Sequence, residues 1–592
     1  MGKFAIIRPE YSATTSASTA LDRRNAEVIT FPARVPVADS GTLHVSGASR
    51  SAWRKAWVTM AVHADAFRIN STGYLTALAW RLRGLRVRSR IRLSLLASQS
   101  PRVYDLWIAR DEPRALAAAK VAVAADVAKM ILPVVDCRAG VAGLAQTLDS
   151  LKCAAASAPA ILIGGPKIPG TITIMEPSEL ADLIGADEVW LCVLRAGDRL
   201  AAGAFTIYAG AAQLAGDAGL IYSDDDLLSP NGKRCTPHFK PSWNPDLFEH
   251  HDFLTGACIV RAARNDLARL PSENWEQAVI SSAATRATAP LHMPLVLHHR
   301  VDRPDPIVPD VPAMLLSDAA PTVTAIIPTR NQVELLRACI DGLGRTAYPG
   351  LDILVVDNGS DEPQAVAYLE WLKSEGVTVL HIPGPFNFSA LNNAAVEQAR
   401  GELICFLNND VEMVDPDWLA LLVRQAMRQD IGAVGARLLY PDGTIQHAGV
   451  FVGIGGAAGH GHRLQSSEES GYFERARLPQ RVSAVTAACL VVAREKFRAV
   501  GGFDEQDFRV AFNDVDLCMK LNDRGWASFY EPRATLIHHE SKSRGNDRAE
   551  HNRDRFAVEL GALKRKWQTD KRRDPYHHPH LSGLSEQFLI EI

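Results

Sequence analysis

The chain has 592 residues, which is enough for about three or four domains. Hydrophobic residues make up 47% and charged residues 22%, as in ordinary soluble globular proteins, and the formal net charge of -3 gives no sign of a nucleic-acid binder. The nine cysteines are scattered and none forms a C-x-x-C pair, so we expect reduced thiols in a cytoplasmic protein and not a disulfide framework.

The N-terminal stretch, residues 1–26, is rich in small and polar residues and is predicted to be disordered. Charged residues and a proline interrupt any signal-peptide core there: Arg8, Pro9 and Glu10. Charged side chains also interrupt the most apolar long window, residues 115–135, which favours soluble structure over a transmembrane helix. We therefore expect a cytoplasmic protein, with peripheral association at the inner face of the cytoplasmic membrane as an open alternative.

Residues 27–100 show a β signal and are predicted to form a small β-rich domain. Arginines alternate with mostly apolar residues from Leu85 to Leu93, which is typical of a strand with one solvated face. That basic face is interpreted as an ordinary solvated surface, and binding of anionic glycan or phospholipid headgroups is the alternative. Residues 101–127 look helical and are predicted to act as a connector.

Two later regions repeat the same order of apolar strands and helical patterns. The repeated strands are 130–136 with 323–330, 160–163 with 353–356, 189–194 with 403–407, 254–260 with 485–491, and 295–299 with 535–539. Strands that alternate with helical patterns imply parallel βαβ units. We therefore predict two copies of one α/β domain, residues 128–302 and 321–545. A linker at 303–320 joins them, and a C-terminal helix and tail follow at 546–592.

In the second copy, polar side chains appear where apolar strands end. Asp410 follows the apolar run 403–407 as the last residue of Asn408-Asn409-Asp410. Ligands of open α/β sheets lie beyond the carboxyl ends of the strands. A carboxylate with side-chain amides suits Mg²⁺ or Mn²⁺, although a polar turn would explain the same residues.

Two more strand ends carry polar groups. Pro328-Thr329-Arg330 ends the first strand and opens a helix, whose free N–H groups can bind an anion or a base edge. Asp357 ends the next strand and can accept hydrogen bonds from a ribose or a base. A βα turn with a helix cap is the alternative for Asp357.

Two further features lie near the C-terminal end of the second copy. Asp514 begins an amphipathic pattern, so it can face a cleft while Leu517 and Leu521 face the core. The alternative role for Asp514 is an acid that stabilises a helix N-terminus. His538 and His539 follow an apolar strand, where a histidine is structural or a metal ligand.

Together these motifs resemble the inverting family 2 glycosyltransferases of GT-A fold over residues 321–545. They are Ile326–Asn331, Asp357–Ser360, Phe386–Ser389, Leu407–Asp410, Gly501–Phe503 and Asn513–Asp514. The resemblance implies tandem GT-A domains, Rossmann-like with a mixed sheet. It places nucleotide-sugar binding on Pro328, Thr329, Arg330, Asp357, Asn387, Asn392, Asn409 and Asp410. It places Mn²⁺ or Mg²⁺ on Asp410, with His539 as a further candidate ligand, and the general base on Asp514. The D-x-D position here reads Asn408-Asn409-Asp410 and keeps only one carboxylate.

The function implied is transfer of a sugar, with inversion, from a nucleoside diphosphate to a glycan or lipid-linked glycan. The two-copy architecture resembles rhamnosyltransferases of polysaccharide or O-antigen assembly. A silent glycan-binding scaffold and a nucleotidyltransferase are the alternatives. The first copy resembles the same family but has Gly165 and Gly197 where the second has Asp357 and Asp410, so we expect no second catalyst. Its acidic run 222–226 is interpreted as a turn.

Overall fold

The computed structural model describes residues 4–6, 29–31, 45–119, 131–185, 188–286, 288–312, 320–539 and 553–592. Strand β1 (Phe4–Ile6) pairs antiparallel with β2 (Ile29–Phe31). The remainder of the stretch predicted to be disordered, residues 1–26, lies outside the described residues. Among the described residues, no helix is both long and apolar enough to cross a bilayer.

Five helices follow: α1 (Val45–Ile69), α2 (Ser71–Leu82), α3 (Arg86–Ala97), α4 (Val103–Arg110) and α5 (Glu112–Ala119). The prediction of a β-rich domain at 27–100 is therefore wrong over residues 45–97. The residues of α3 that are buried are Ser89, Leu93, Leu96 and Ala97, which are spaced as one face of a helix. The alternating arginines concealed that spacing, because arginines at every second position spread around a helix.

Among the described residues, the first sheet has nine strands. They are β3 (Ile131–Asp136), β4 (Ile161–Ile163), β5 (Ile172–Ile174), β6 (Glu188–Arg195), β7 (Arg199–Leu200), β8 (Leu220–Leu228), β9 (Arg234–His238), β10 (Cys258–Ala263) and β11 (Leu291–Arg300). Its helices are α6 (Leu144–Cys153), α7 (Leu180–Leu183), α8 (Ala204–Leu214), α9 (Pro245–Phe248), α10 (Arg264–Leu267) and α11 (Trp275–Ala284).

Within the part of the chain that the structure describes, the second sheet has ten strands. They are β12 (Val323–Thr329), β13 (Leu351–Asp357), β14 (Thr378–His381), β15 (Leu403–Leu407), β16 (Val411–Met413), β17 (Ile431–Leu439), β18 (Ile445–His447), β21 (Gln480–Val482), β22 (Cys489–Ala493) and β23 (Ala527–His538). A hairpin of β19 (Val450–Val452) and β20 (Ala458–His460) lies outside it. The helices are α12 (Val333–Gly344), α13 (Pro363–Ser374), α14 (Phe388–Gln398), α15 (Trp418–Ala426), α16 (Arg494–Ala499) and α17 (Asn513–Asn522).

The two sheets have the same topology. The first runs β5-β4-β3-β6-β10-β8-β11-β7 and the second runs β14-β13-β12-β15-β22-β17-β23-β16. The first four strands of each order are mutually parallel, and β10 and β22 are antiparallel to their neighbours in both. The repeated strands noted in the sequence occupy equivalent places, so the α/β fold repeats and the fold class is as predicted.

Apolar strands form the centre of each sheet. All residues of β12 and of β15 are buried, as expected for strands covered by helices on both faces. Because β12, β13 and β15 are parallel neighbours, their carboxyl ends meet at one edge of the sheet. That edge is where the polar motifs of the second copy lie.

The C-terminal segment contacts both copies. Helix α18 (Arg553–Trp567) is followed by a tail of irregular structure, residues 568–592. The Pro575 carbonyl accepts a hydrogen bond from the Ser242 N–H of the first copy, and the Asp574 carboxylate accepts one from the Val452 N–H of the second. The tail therefore ties the two copies together.

Candidate functional site

A cavity of about 1520 Å³ opens beyond the carboxyl ends of β12 and β15. Its described lining includes the predicted residues Pro328, Thr329, Arg330, Asn409 and Asp514. A smaller adjoining space of about 160 Å³ shares Asp514 with it. Residues that are far apart in the sequence thus converge on one volume at the edge of the second sheet.

The turn after β12 is held by side-chain hydrogen bonds. Asn331 and Gln332 both adopt left-handed backbone conformations, with φ of 55° and 54°, where the strand passes into α12. The Asn331 side-chain oxygen accepts from the N–H groups of Asp361 and Glu362, which joins this turn to the turn after β13. Arg330 is exposed and lines the cavity from this turn.

Asn409 is oriented by its neighbour on β12. Its side-chain amide donates to the Thr329 hydroxyl over 3.1 Å, and both residues line the cavity. The arrangement presents polar groups from two strand ends to the same space. Both residues are buried, so their hydrogen bond fixes the position of each.

Asp357 lies at the end of β13, as predicted, but its carboxylate is already engaged. One oxygen accepts from the backbone N–H and the hydroxyl of Ser360, at 2.8 and 2.6 Å, and the other lies 2.6 Å from His381 Nδ1. These contacts are those of the turn-forming alternative. Asp357 is not among the described residues that line the cavity, so its role in donor binding stays a prediction.

Asn387 and Asn392 lie on α14 and have structural partners. Asn387 caps α14, because its side-chain oxygen accepts from the Ala390 N–H, while its amide donates to the Glu505 carbonyl. Asn392 is fully buried and donates to the Phe388 carbonyl. Neither is among the described lining residues of the cavity, so a role for either in nucleotide binding stays a prediction.

Asp410 is buried beside a histidine, but not the predicted one. Its Oδ1 lies 3.0 Å from His538 Nε2, whereas the His539 ring lies 3.1 Å from the Glu412 carboxylate. Only the His539 backbone N–H reaches Asp410, at the carbonyl oxygen. Successive side chains of a strand point to opposite faces, so only one of the two histidines can face Asp410. The structure therefore places the ring of His538, and not that of the predicted ligand His539, beside the Asp410 carboxylate.

The donor set at Asp410 fits a divalent cation. His538 Nδ1 lies 2.7 Å from Gln446 Oε1, and its Nε2 lies opposite the Asp410 carboxylate. The Asn408 side-chain amide also lies 3.3 Å from Nε2, so this nitrogen lies between an amide and the Asp410 carboxylate. A ligating histidine commonly donates its other N–H to an oxygen, which is the arrangement Gln446 provides. One carboxylate with one imidazole suits Mn²⁺ better than Mg²⁺.

Asp514 is the second residue of α17 and lines both spaces. One carboxylate oxygen accepts from the Ala487 N–H over 3.2 Å and the other from the Val515 N–H over 2.8 Å. Asp514 remains partly exposed to the cavity. These hydrogen bonds fix the carboxylate while leaving it a face on which to accept a proton.

Several cavity residues were not predicted, and they come from the segment after β17 and from α18. His460, Arg463 and Arg555 line the cavity. The Arg463 guanidinium donates to the Tyr440 hydroxyl at 2.7 and 3.0 Å, and Arg555 pairs with Glu559 at 3.1 Å. The segment after β17 has no regular apolar period, and composition was the only available signal.

The tail also reaches this cavity. Leu584 and Glu586 line it, and the Glu586 carboxylate accepts from the His460 N–H over 3.0 Å. The tail thus joins the wall of the second copy's cavity while it also rests on the first copy.

The equivalent edge of the first copy is occupied by its own side chains. Asp136, at the end of β3, pairs with Arg138 at 2.6 Å and accepts from the Trp275 ring N–H over 2.8 Å. A Cβ at Gly165 would lie 3.1 Å from Cys137 Sγ, and one at Gly197 would lie 2.8 Å from a Val301 methyl carbon. These two glycines leave no space for the carboxylates that the second copy has.

The helix that corresponds to α17 also carries an acid. Glu276 is the second residue of α11, as Asp514 is of α17, but the Arg195 guanidinium binds it at 3.0 Å. Burial raises the pKa of Glu276, and Arg195 opposes that effect. Arg195 and Glu276 are thus paired with each other at this edge of the first sheet.

The acidic run 222–226 is not a turn, which corrects that interpretation. It lies in β8, and Asp224, Asp225 and Asp226 are all fully buried or nearly so. Asp225 pairs with Lys240 at 2.7 Å and with Arg303 at 2.6 Å. Burial alone would raise the pKa of Asp225, but these cations lower it to about 2. The cations come from distant parts of the chain and left no local signal.

Asp224 offers a second set of possible metal ligands with His292 and His578. His292 Nε2 lies 3.0 Å from Asp224 Oδ1, and His578 Nε2 lies 2.8 Å from Oδ2. The Lys240 backbone N–H also donates to Oδ1. Protein groups thus contact both carboxylate oxygens, and the buried Lys240 ammonium nearby disfavours a further cation. We interpret the cluster as the attachment of the tail to the first copy.

Comparison with known proteins gives a family for part of the chain. Residues 324–488 match the family described as Glycosyl transferase family 2. An uncharacterized protein, y4gI, of Sinorhizobium fredii is 39% identical over 63% of this chain and 46% of its own length. The O-antigen biosynthesis protein RfbC of Myxococcus xanthus is 36% identical over 61% of this chain and 31% of its own length. The chain therefore spans less than half the length of these two relatives.

A shorter relative aligns over most of its own length. The N-acetylglucosaminyl-diphospho-decaprenol L-rhamnosyltransferase of Mycobacterium tuberculosis is 28% identical over 40% of this chain and 81% of its own length.

Proposed function

We propose that this chain, whose residues 324–488 form a domain of glycosyl transferase family 2, transfers a sugar from a nucleoside diphosphate to a glycan hydroxyl with inversion. One observation carries the proposal. A single cavity is lined by the turn after β12, by Asn409 after β15, and by the Asp514 carboxylate. Anion-binding groups and a candidate base thus share one space.

Asp514 is the proposed general base. The acceptor hydroxyl oxygen attacks the anomeric carbon while its proton passes to the Asp514 carboxylate. The bond from the anomeric carbon to the phosphate oxygen breaks, and its electron pair leaves with the nucleoside diphosphate. No covalent enzyme intermediate forms, so a single displacement inverts the anomeric configuration.

The donor is proposed to lie along the carboxyl edge of the second sheet. Pro328, Thr329 and Asn409 supply backbone and side-chain polar groups, and Arg330 supplies a positive charge for the diphosphate. Arg463, which the sequence did not indicate, adds a second guanidinium to the same space. Asp357 would reach the donor only if its contact with His381 opened.

Asp410 and His538 are proposed to hold Mn²⁺ or Mg²⁺. A bound divalent cation neutralises the charge that develops on the departing diphosphate. The chain's own contribution is to orient the ligands. Gln446 fixes the His538 ring, and the backbone of β16 and β23 holds Asp410 opposite it.

The biological setting is proposed from the relatives. Similarity to an O-antigen biosynthesis protein and to a rhamnosyltransferase that acts on a lipid-linked sugar favours assembly of a cell-surface polysaccharide. A glycan or lipid-linked glycan is the proposed acceptor.

The proposal is tested with purified full chain and a panel of nucleotide sugars in the presence of Mn²⁺. We expect one donor class to raise the melting temperature and to be hydrolysed slowly, and proton NMR of a transfer product to show the inverted anomer. If no nucleotide sugar binds or turns over, a glycan-binding scaffold replaces the transferase. Release of diphosphate from a nucleoside triphosphate would instead indicate nucleotidyl transfer.

A further inference from the structure

The helical N-terminal region contains a stretch with an unusual charge pattern. Residues 66–104 include eight arginines and neither lysine nor any acidic residue, although the whole chain carries a formal net charge of -3. The flanking acid Asp65 is buried and pairs with Arg102 at 2.6 Å and with Arg68 at 3.8 Å, which leaves the six arginines at positions 81–92 without an acid from this stretch. This region is therefore a concentrated positive surface on a slightly acidic protein.

The arginines cluster where α2 passes into α3. Every residue of the stretch 81–88, here named the basic tip, is exposed to solvent. The tip carries four arginines at positions 81, 83, 86 and 88. Arg90 on α3 is also exposed. The basic tip is thus an exposed cationic segment.

Large apolar side chains alternate with these arginines. Leu82 is 90% exposed, Val87 is 63% exposed and Leu85 is 42% exposed. Helix α1 adds Trp53 and Trp57, at 77% and 62% exposed, spaced as one helical face. Soluble monomeric proteins rarely expose this much contiguous apolar area, and such patches mark interaction sites.

We propose that the basic tip and the exposed tryptophans of α1 bind the surface of an anionic phospholipid bilayer. Arginines beside lipid-facing leucines can place their alkyl stems in the acyl boundary and their guanidinium groups at the phosphates. Anionic headgroups attract basic segments, and tryptophan favours the interface between headgroups and acyl chains. This proposal is independent of the proposed transferase chemistry.

Other partners fit the surface less well. An anionic glycan or a nucleic acid would pair with the arginines but would gain nothing from Leu82 or Val87. A second copy of the chain would bring one cationic face against another, which Coulomb repulsion opposes. A bilayer satisfies both the charge and the exposed apolar area.

The test is flotation of the full chain with phosphatidylcholine vesicles, with and without phosphatidylglycerol, at low and high salt. We expect binding only to the anionic vesicles, weakened by salt because screening reduces the attraction between arginines and headgroups. Arg83→Glu with Arg86→Glu, and separately Leu82→Ser with Leu85→Ser, should each lower the partition coefficient by at least about tenfold.

Matched controls are available on the α/β region. Arg400→Glu with Arg424→Glu reverses two other exposed arginines, and Met175→Ser removes another exposed apolar side chain. These variants should float as the unmodified chain does, and melting temperatures of all variants should agree. Absence of binding to anionic vesicles overturns the proposal. Equal binding to neutral vesicles also overturns it, as does binding only to a soluble polyanion such as heparin.

Discussion

In the second copy, Asp514 is the second residue of α17 and its carboxylate faces a cavity. In the first copy, Glu276 takes the same position on α11 and is neutralised by Arg195. The strand order is the same, so the difference lies in a few side chains at one sheet edge. Carboxylates that face a cavity can serve chemistry, whereas carboxylates paired with cations serve structure.

The first copy carries a cluster of acidic residues in its interior. Asp224, Asp225 and Asp226 lie on β8, and cations or histidines from other segments contact all three. One of these partners, His578, comes from the tail that also lines the second copy's cavity through Glu586. The first copy thus holds the tail in place, and the tail completes the wall of the cavity in the second copy.

The largest expected effect is on stability in the first copy. Lys240 is fully buried beside Asp225, and its removal takes away one of the two cations that contact this buried carboxylate most closely, which leaves Arg303 as the other. Lys240→Met should lower the free energy of unfolding by about 3–5 kcal/mol, measured by urea denaturation. The control Lys373→Met removes an exposed ion pair and should cost less than about 1 kcal/mol. An equal loss in both variants would contradict a structural role for the buried network.

The next largest effect distinguishes Asp514 from Glu276, which occupy equivalent positions near the starts of α17 and α11. Asp514→Asn should lower kcat at least about a hundredfold with nearly unchanged donor affinity, because only proton acceptance is lost. Glu276→Gln, the matched change in the first copy, should leave kcat unchanged. Equal loss of donor binding in Asp514→Asn would make this residue a structural cap, and loss of turnover in Glu276→Gln would give the first copy a catalytic part.

Alanine variants of the two neighbouring histidines, His538 and His539, test which of them is a metal ligand. His538→Ala should weaken Mn²⁺ activation about 10–100-fold, whereas His539→Ala should leave it nearly unchanged, because the His538 ring contacts the Asp410 carboxylate and the His539 ring contacts Glu412. The measurement is the Mn²⁺ concentration for half-maximal activity, with EDTA-treated protein as reference. A larger effect of His539→Ala than of His538→Ala would identify His539 as the ligand. Activity that survives EDTA would show that the reaction does not depend on the metal.

Four buried histidines should make stability depend on pH. Burial lowers the pKa of His251, His462, His577 and His580 to about 3 each. A depressed folded-state pKa gives stability that is present above the unfolded value and lost as the pH falls. As the pH falls from about 7 to about 5, each histidine should lower the free energy of unfolding by at most about 2 kcal/mol. The measurement is the melting temperature, which should fall over the same pH range. An unchanged melting temperature over that range would contradict the buried neutral state of these rings.

The strands of the sheet centres were predictable because burial on both faces leaves continuous apolar runs, as in 323–329 and 403–407. Helix α3 was missed because arginines at every second position imitate a strand. The choice between His538 and His539 depends on the register of β23, which the sequence does not determine.

Contacts between segments that are distant in the sequence could not be predicted from sequence patterns. The run 222–226 resembles a polar turn until Lys240 and Arg303 are seen to neutralise it inside a strand. Arg463 lies in a segment without regular periodicity, so nothing in the sequence placed it at the cavity. What could be predicted depended on local apolar periods, and what could not depended on tertiary charge pairing.

The most direct test of the central claim, one donor site in two copies, is calorimetric titration of nucleoside diphosphate into the full chain with Mn²⁺ present. We predict one site per chain, weakened beyond detection by Asp410→Ala and unchanged by Arg195→Ala in the first copy. Two sites, or one site that survives Asp410→Ala, would contradict the account and place donor binding in the first copy.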